Sequence, residues 1–307
     1  MAAARVLIIA NPAAGTVTPA LVSEVVRVCR RQVRQVSVRW TRTRGEATQV
    51  ASKTGDFAGT STVVVAVGGD GTVREVAAGL ASAWQATTPM LIVPAGTANS
   101  CYHNLFGASP WQSAIESALR HPTVRWLDLA RVAGGLVFAG ASAGFSARAI
   151  HEARALTTHA GPSRYHAALV NLIPRYRPYP GRVTVDGRIV HSGLTLLANV
   201  GGSRYRGGYF ELLPRSVPDD GLLDVCVLGG EHSAAEMMEL TRTGAHLSQQ
   251  GVVYERGRQV RIERTDGQPL WFEHDGEVLP LGPAEYTVDI VPAAVPVLTA
   301  PSLAAAA

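Results

Sequence analysis

Cysteine is scarce in this chain of 307 residues. Cys29, Cys101 and Cys226 are far apart, odd in number, and form no Cys-x-x-Cys pair. That pattern excludes a disulfide framework and a structural zinc site, and reduced thiols in a cytoplasmic setting are expected. Long apolar runs are missing too. No stretch reaches the roughly 18 apolar residues that announce a spanning helix. Val6–Ala10 is too short for the apolar region of a signal peptide, and no cleavage pattern follows it. The nine histidines never fall at His-Glu-x-x-His spacing, and no Gly-x-Ser-x-Gly elbow occurs. A zinc-protease helix and a hydrolase nucleophile turn are thereby excluded, and Ser142-Ala143-Gly144 reads as a turn. Charge is sparse at 17%, with an excess of 28 − 24 = +4. That excess suits polyanionic phosphates or an anionic membrane surface, and it is too weak and too spread out for nucleic acid.

What is present is a globular composition, 47% hydrophobic, long enough for two domains. Val6–Ala10 reads as a buried strand ending at Asn11-Pro12. A helix is expected over Thr18–Gln35, where Leu21, Val25, Val28 and Cys29 recur at helical spacing. Strand Val36–Trp40, helix Glu46–Lys53, strand Thr62–Val67, helix Val73–Ala83 and strand Met90–Val93 follow. This alternation predicts an open, doubly wound parallel sheet, whose ligands sit at the carboxyl ends of the strands. After about Leu127 the texture changes to short strands punctuated by turns. They run over 128–132, 136–141, 182–186, 194–200, 223–228, 259–263 and 287–291, with helical stretches over 147–157, 165–173 and 233–248. A second, mostly antiparallel β domain is expected. The alanine-rich tail after Val297 reads as frayed.

Three loops stand at the strand ends of the first half. Gly68-Gly69-Asp70-Gly71-Thr72 follows a buried strand and opens a helix. Its glycines let backbone approach a ligand, and the helix start offers N–H groups to phosphate. An acidic residue beside phosphate makes sense with a bridging metal or a hydroxyl to bind. Asn11-Pro12-Ala13-Ala14-Gly15-Thr16 and Pro94-Ala95-Gly96-Thr97-Ala98-Asn99 occupy equivalent positions after the first and fourth strands. In the second half, Asp275 and Glu277 lie two apart, so on an extended strand they would share a face and could serve as metal ligand and base. The same three residues also read as a polar hairpin turn. Asp219-Asp220-Gly221 reads as a turn as well. Arg175-Tyr176-Arg177-Pro178-Tyr179 is basic and aromatic. It reads as an exposed connecting loop, able to rest on lipid headgroups.

Asn-Pro-x-x-Gly, Gly-Gly-Asp-Gly-Thr and Pro-x-Gly-Thr-x-Asn, in this order, resemble the diacylglycerol kinase and sphingosine kinase catalytic family, and within it the soluble bacterial lipid kinases. Asp219-Asp220-Gly221-Leu222-Leu223-Asp224 and Asp275-Gly276-Glu277 extend the resemblance to about Val291. It implies an α/β chain with a doubly wound, NAD-kinase/phosphofructokinase-like nucleotide domain over 1–127. A β-sandwich acceptor domain would cover 128–297, its last strand able to return to the first. It implies ATP and Mg²⁺ as cofactors. Asn11, Pro12, Ala13, Ala14 and Gly15 would line the nucleotide, with Thr41, Gly68, Gly69, Asp70, Gly71, Thr72, Val73, Arg74, Gly96, Thr97 and Asn99. Thr41 enters because Thr41-Arg42-Thr43-Arg44-Gly45-Glu46-Ala47 is similar to the family's Thr-x-x-x-Gly-Asp-Ala segment. Asp70 would work with the catalytic Mg²⁺, Glu277 would be the general base, and Asp275 would support it or the metal. Asp220 would hold a second metal with the carbonyls of Val217 and Leu222.

The resemblance also implies a lipid alcohol acceptor, diacylglycerol first and a sphingoid base next. Peripheral contact with a membrane from the cytoplasm, no nucleic-acid partner, and pairing of exposed sheet edges into a homodimer belong to the same expectation. The sequence departs from the family where an acidic residue usually follows the third-loop Asn: Ser100 stands there. Ala14 stands where Ser is common. A specialised metabolite hydroxyl is thus an alternative acceptor, and a nucleotide-binding regulator without catalysis is an alternative function.

Overall fold

The computed structural model describes residues 5–54, 61–83, 87–156 and 161–300. The chain divides into two units, residues 1–128 with 292–307, and residues 129–291. Strands β5 (Thr123–Val132) and β15 (Glu285–Thr299) contribute residues to both.

The N-terminal unit is a parallel sheet built by strand–helix alternation. Its strands are β1 (Arg5–Ala10), β2 (Gln35–Trp40), β3 (Thr62–Gly68) and β4 (Met90–Pro94), and the order is β15-β4-β3-β1-β2. Every pairing among them is parallel. Strand β3 is buried at all seven positions, as its unbroken Val/Ala run demands of a strand covered on both faces. Each such valine contributes roughly 1.5–3 kcal/mol relative to exposure. Helix α1 (Pro19–Arg30) opens with Thr18, whose Oγ1 accepts from the Leu21 N–H at 3.1 Å, and with Pro19 in its first turn. It buries Val22, Val25, Val28 and Cys29. The helix stops five residues before the predicted Gln35, because the in-register pairing of Arg5 with Gln35 draws that residue into β2. Helices α2 (Glu46–Ser52) and α3 (Asp70–Ser82) pack so closely that a Cβ on Gly79 would lie 2.4 Å from the Thr48 carbonyl.

Helix α3 begins at Asp70, three residues before the expected start, so the second loop is itself the first turn of a helix. Helices α4 (Ser100–Phe106) and α5 (Trp111–Arg120) had no counterpart in the sequence reading. The tail expectation is corrected as well. Leu298 and Thr299 belong to β15 and are buried, because the strand's end enters the parallel sheet beside β4. Residues 301–307 and Thr157, the predicted end of a helix, lie outside the described residues.

The C-terminal unit is antiparallel throughout. It contains β6 (Gly135–Val137), β7 (Ala141–Gly144), β8 (Tyr179–Val185), β9 (Arg188–Gly201), β10 (Leu223–Gly229), β11 (Val252–Gly257), β12 (Gln259–Arg264), β13 (Phe272–His274) and β14 (Glu277–Val278). The order is β14-β13-β7-β9-β8-β12-β15, with β10 between β9 and β11. Alternation in β10 sends Val225 and Val227 into one core with Val183, Val260, Phe272 and Val288. Cys226 and Leu228 face a second core with Phe145, Leu169 and Met237, supplied by α6 (Phe145–Ala155), α7 (Gly161–Leu172) and α8 (Ala234–Leu240). Asp186 and Gly187, both at positive φ (47° and 81°), turn β8 into β9. Ser142-Ala143-Gly144, read as a turn, is a buried strand of small residues. Ser142 is pinned by its 2.6 Å hydrogen bond from Oγ to Asn199 Oδ1.

Candidate functional site

In the N-terminal unit the three predicted loops meet at the carboxyl ends of β1, β3 and β4. Two backbone bonds stitch them: Ala95 N–H to the Gly68 carbonyl at 2.9 Å, and Thr16 N–H to the Ala95 carbonyl at 3.0 Å. Asn11 donates from Nδ2 to Thr72 Oγ1 at 3.0 Å and accepts on Oδ1 from Ala13 N–H at 3.0 Å, so its side chain both shapes the first loop and ties it to the second. The second and third loops touch through their glycines. A Cβ on Gly96 would lie 2.3 Å from the Gly69 Cα, and one on Gly69 would lie 3.0 Å from the Gly96 Cα. Gly71 has nothing within 4 Å of its Cβ direction and is exposed on the first turn of α3. Backbone N–H groups at such a helix start are ready donors for phosphate oxygens.

Asp70 has a structural role that its local sequence does not announce. Its carboxylate accepts from the backbone N–H groups of Ser100 at 3.1 Å and Cys101 at 2.9 Å, and so caps α4. Asn99 stands at φ 52°, ψ 35°, with its Oδ1 accepting from Gly96 N–H at 2.8 Å and its Nδ2 donating to the Gly96 carbonyl at 3.1 Å. Its amide therefore closes the third loop. Thr41 is buried and donates its N–H to the Ala10 carbonyl at 2.9 Å, behind the first loop. Pro12, Ala13, Gly15 and Thr97 are exposed, Val73 is buried, and Ala14 and Arg74 are half-buried.

Mg²⁺ takes one or two carboxylates and keeps waters and phosphate oxygens as its other ligands. Asp70, half-buried and with further lone pairs on both oxygens, fits such an ion bound chiefly through phosphate. No cluster of three His, Cys, Asp or Glu side chains that could hold a metal occurs among the described residues. A second cation at Asp220 would have to compete with the partners its carboxylate has in this structure. One of its oxygens accepts from Leu222 N–H at 3.1 Å, and the other is paired with the Arg256 guanidinium, which a metal would have to displace.

In the C-terminal unit, Asp275 and Gly276 form the turn of the β13–β14 hairpin at φ 46° and 78°, a two-residue type I′ geometry. The shared-face expectation for Asp275 and Glu277 is corrected: the first is in the turn and the second begins β14, because register pairs Glu277 with His274. The Asp275 carboxylate accepts from the N–H groups of Phe138 and Ala139, both at 2.8 Å, and Gly140 at 3.2 Å. Its charge thus fastens the 138–140 segment. Glu277 is half-buried.

Sequence reasoning assigned no role to Glu273, and it took Arg206 only as part of Arg204-Tyr205-Arg206-Gly207-Gly208, a segment resembling a glycine-rich approach to the acceptor. Glu273 is 1% exposed, pairs with Arg206 at 2.5 Å, and accepts from Gly276 N–H at 2.9 Å. Arg206 also donates to the Gly140 carbonyl at 2.7 Å. The hairpin turn is therefore braced from both sides. An available signal was a carboxylate in the middle of the apolar-flanked Phe272-Glu273-His274 run, a buried charge that requires a partner.

Glycine loops on a parallel sheet, followed by an antiparallel unit with an acidic hairpin, define an α/β fold with a parallel-sheet domain and a β-sandwich domain. Residues 5–132 match the diacylglycerol kinase catalytic domain, and residues 139–299 match the YegS C-terminal NAD kinase beta sandwich-like domain. The second match covers more than half of the chain, so the chain belongs to the YegS-like family. It is 34% identical over 146 residues to the Cronobacter sakazakii (strain ATCC BAA-894) protein named Probable lipid kinase YegS-like. That match covers 47% of this chain and 45% of the other, so the chain aligns with about half the length of this curated relative. A diacylglycerol kinase structure from Bacillus anthracis str. Sterne superposes with a TM-score of 0.71 at 19% identity over 98% of both chains. A second structure from that organism, provisionally described by the same enzyme name, gives 0.80 at 20% identity, again over 98% of both. An NAD kinase from Archaeoglobus fulgidus in complex with ATP gives 0.50 at 12% identity, covering 96% of this chain and 92% of that one. At these identities the structural likenesses establish the fold alone. No helix among the described residues is long and apolar enough to cross a membrane.

Proposed function

We propose that the chain is an ATP-dependent kinase that transfers the γ-phosphoryl group to the hydroxyl of a lipid alcohol, with diacylglycerol as the first acceptor and a sphingoid base as the next. The observation that carries this reading is the contact of Gly69 with Gly96 at the ends of β3 and β4, beside the start of α3. It makes a surface of bare backbone, which is what a triphosphate needs for close approach and N–H donation. Thr16, Thr97 and Gly71 are exposed on these loops and would face the nucleotide. Mg²⁺, bound through Asp70 and phosphate oxygens, would neutralise charge on the transferring group. Glu277 would take the acceptor hydroxyl's proton. Asp275 would act by positioning, since its carboxylate holds the 138–140 backbone. A lipid acceptor implies peripheral contact with a membrane surface.

A second acceptor class, a specialised metabolite hydroxyl, is favoured by Ser100. Where the family resemblance implies an acidic side chain, this chain has a buried serine whose N–H donates to Asp70. The test is transfer of γ-labelled phosphate from ATP with Mg²⁺ to lipid alcohols in mixed micelles, comparing wild type with Asp70→Asn and Glu277→Gln. Label in diacylglycerol or a sphingoid base, lost in both variants, supports the proposal. ATP binding without label in any lipid refutes the lipid acceptor.

A further inference from the structure

The basic, aromatic segment Arg175–Tyr179 plays no part in the phosphotransfer reading. It connects α7 to β8 and forms one wall of a cleft of about 340 Å³ that lies wholly within the C-terminal unit. The facing walls carry Arg148 of α6, Arg264 at the end of β12, and Trp271. Four guanidiniums therefore converge on one space of ligand size.

Their charge is only partly compensated. Glu152 accepts from Arg148 at 2.9 Å and is also paired with Arg175. Asp266 accepts two bonds from Arg264, at 2.7 and 3.0 Å. Four cations against these two carboxylates leave 4 − 2 = +2. Among the described residues Arg177 donates to the carbonyls of Tyr176 at 3.0 Å and Pro174 at 3.4 Å, which hold the group without neutralising it. The Arg148 guanidinium stacks 4.8 Å from the Trp271 ring centroid, which orients its plane.

A second, independent feature points the same way. Tyr179 is 5% exposed, and its hydroxyl has no hydrogen-bond partner among the described residues. Burial raises its pKa, so the group is a neutral O–H donor at any working pH. A buried donor left without an acceptor costs stability, and Tyr179 is one of the residues that line the cleft. Guanidinium forks, a spare O–H and an aromatic wall match a phosphate oxygen set attached to an apolar stem.

We propose that this cleft is a binding site for a phosphate ester carrying an apolar stem, the chemistry shared by an anionic phospholipid headgroup and a small phosphorylated alcohol. None of the cleft's residues has a role in the proposed phosphotransfer, and the test is binding without ATP, so failure of the kinase reading leaves the proposal untouched.

The experiment has two arms. The first is flotation with phosphatidylcholine vesicles made with and without phosphatidylglycerol. The second is calorimetric titration with glycerol 3-phosphate. Both compare wild type with Arg177→Ala, Arg264→Ala and Tyr179→Phe. Arg188→Ala, an exposed arginine paired with Glu255 outside the cleft, is the control for unspecific charge. Each arginine substitution is expected to weaken binding about tenfold. Tyr179→Phe, which keeps the charge and the packing, should weaken it several-fold. Vesicle binding weakened by all three and spared by Arg188→Ala identifies the lipid headgroup. No vesicle binding, with titration heat that the same three variants reduce, identifies the soluble ester. No binding in either arm overturns the proposal. So does equal weakening by every arginine variant with Tyr179→Phe unchanged.

Discussion

Gly96→Ala is the sharpest probe of the glycine contact. The added Cβ would sit 2.3 Å from the Gly69 Cα and 3.2 Å from the Gly69 nitrogen, both backbone atoms that cannot rotate away. Non-bonded carbons settle at about 3.5–4.0 Å, so the two loops must part by more than about 1 Å. Parting them strains the bonds that flank the contact, Ala95 N–H to Gly68 and Thr16 N–H to Ala95, at 2.9 and 3.0 Å. Overpacking of this kind costs about 1–3 kcal/mol, or a fall in melting temperature of about 2–10 °C. Activity should suffer more than stability, because displacing a substrate-positioning element by about 1 Å costs on the order of 100-fold in rate. Thermal melts and kcat/KM for ATP, measured well below the melting temperature, separate the two effects. The neighbouring glycines set an order for stability. Gly69→Ala, at 3.0 Å from the Gly96 Cα, should be milder, and Gly15→Ala, whose nearest neighbour lies at 3.7 Å, milder still. Gly96→Ala with wild-type melting and wild-type kcat/KM, or Gly15→Ala melting lowest of the three, would refute the close-contact argument.

Gly71→Ala is expected to do the opposite to the free protein. Nothing lies within 4 Å of the new methyl, and alanine favours the helix by about 0.5–1 kcal/mol, so the melting temperature should rise while affinity for ATP falls at least about tenfold. Unchanged affinity in a calorimetric titration would remove the start of α3 from the nucleotide site. Glu273→Gln removes the negative charge paired with Arg206, itself 11% exposed, and should lower stability by about 3–5 kcal/mol in chemical denaturation. An unchanged denaturation midpoint would show that the pair does not brace the hairpin. His246 is fully buried, with Nε2 3.3 Å from the Leu212 carbonyl, and burial lowers its pKa below the ordinary 6.5. Its folded pKa lies below its unfolded one, so its contribution is complete above pH 6.5 and drains away as pH falls through the folded value. Denaturation midpoints from pH 7.5 downward should therefore decline in wild type and decline less in His246→Gln. Parallel curves would mean that His246 is not the titrating group.

The parallel sheet was legible because its signal is local. Val63 to Val67 can only be a strand covered on both faces, and each glycine loop follows its strand directly. Helix α4 was not legible, since nothing beside Ser100 caps it: its cap is Asp70, about 30 residues earlier in the chain. Strand β11 was missed for a related reason. Its burial is partial along most of its length, and its place is set by pairing with β10, from Leu223 opposite Gly257 to Leu228 opposite Val252. The end of β15 looked like a loose tail because its reason for order, the parallel register of Val297 with Met90, comes from 297 − 90 = 207 residues upstream.

The same locality separates what was seen of the site from what was not. Asp70 and Asp275 each stand in a glycine-flanked segment, and the sequence presents both as carboxylates available for chemistry. In the fold each first secures distant backbone, two N–H groups of α4 for Asp70 and three of the 138–140 segment for Asp275. A carboxylate held by two or three donors cannot swing, so its remaining lone pairs point in fixed directions. That is the preorganisation a phosphate-bound cation or a developing charge requires. Holding the backbone and serving the chemistry are therefore compatible demands on one side chain. Replacing either aspartate by asparagine would remove the charge and halve the acceptor oxygens at once, so loss of activity alone would not assign a catalytic role. The assignment needs the melting temperature beside it. A variant that melts like wild type and is inactive has lost chemistry, while one that melts early has lost the loop that the chemistry stands on.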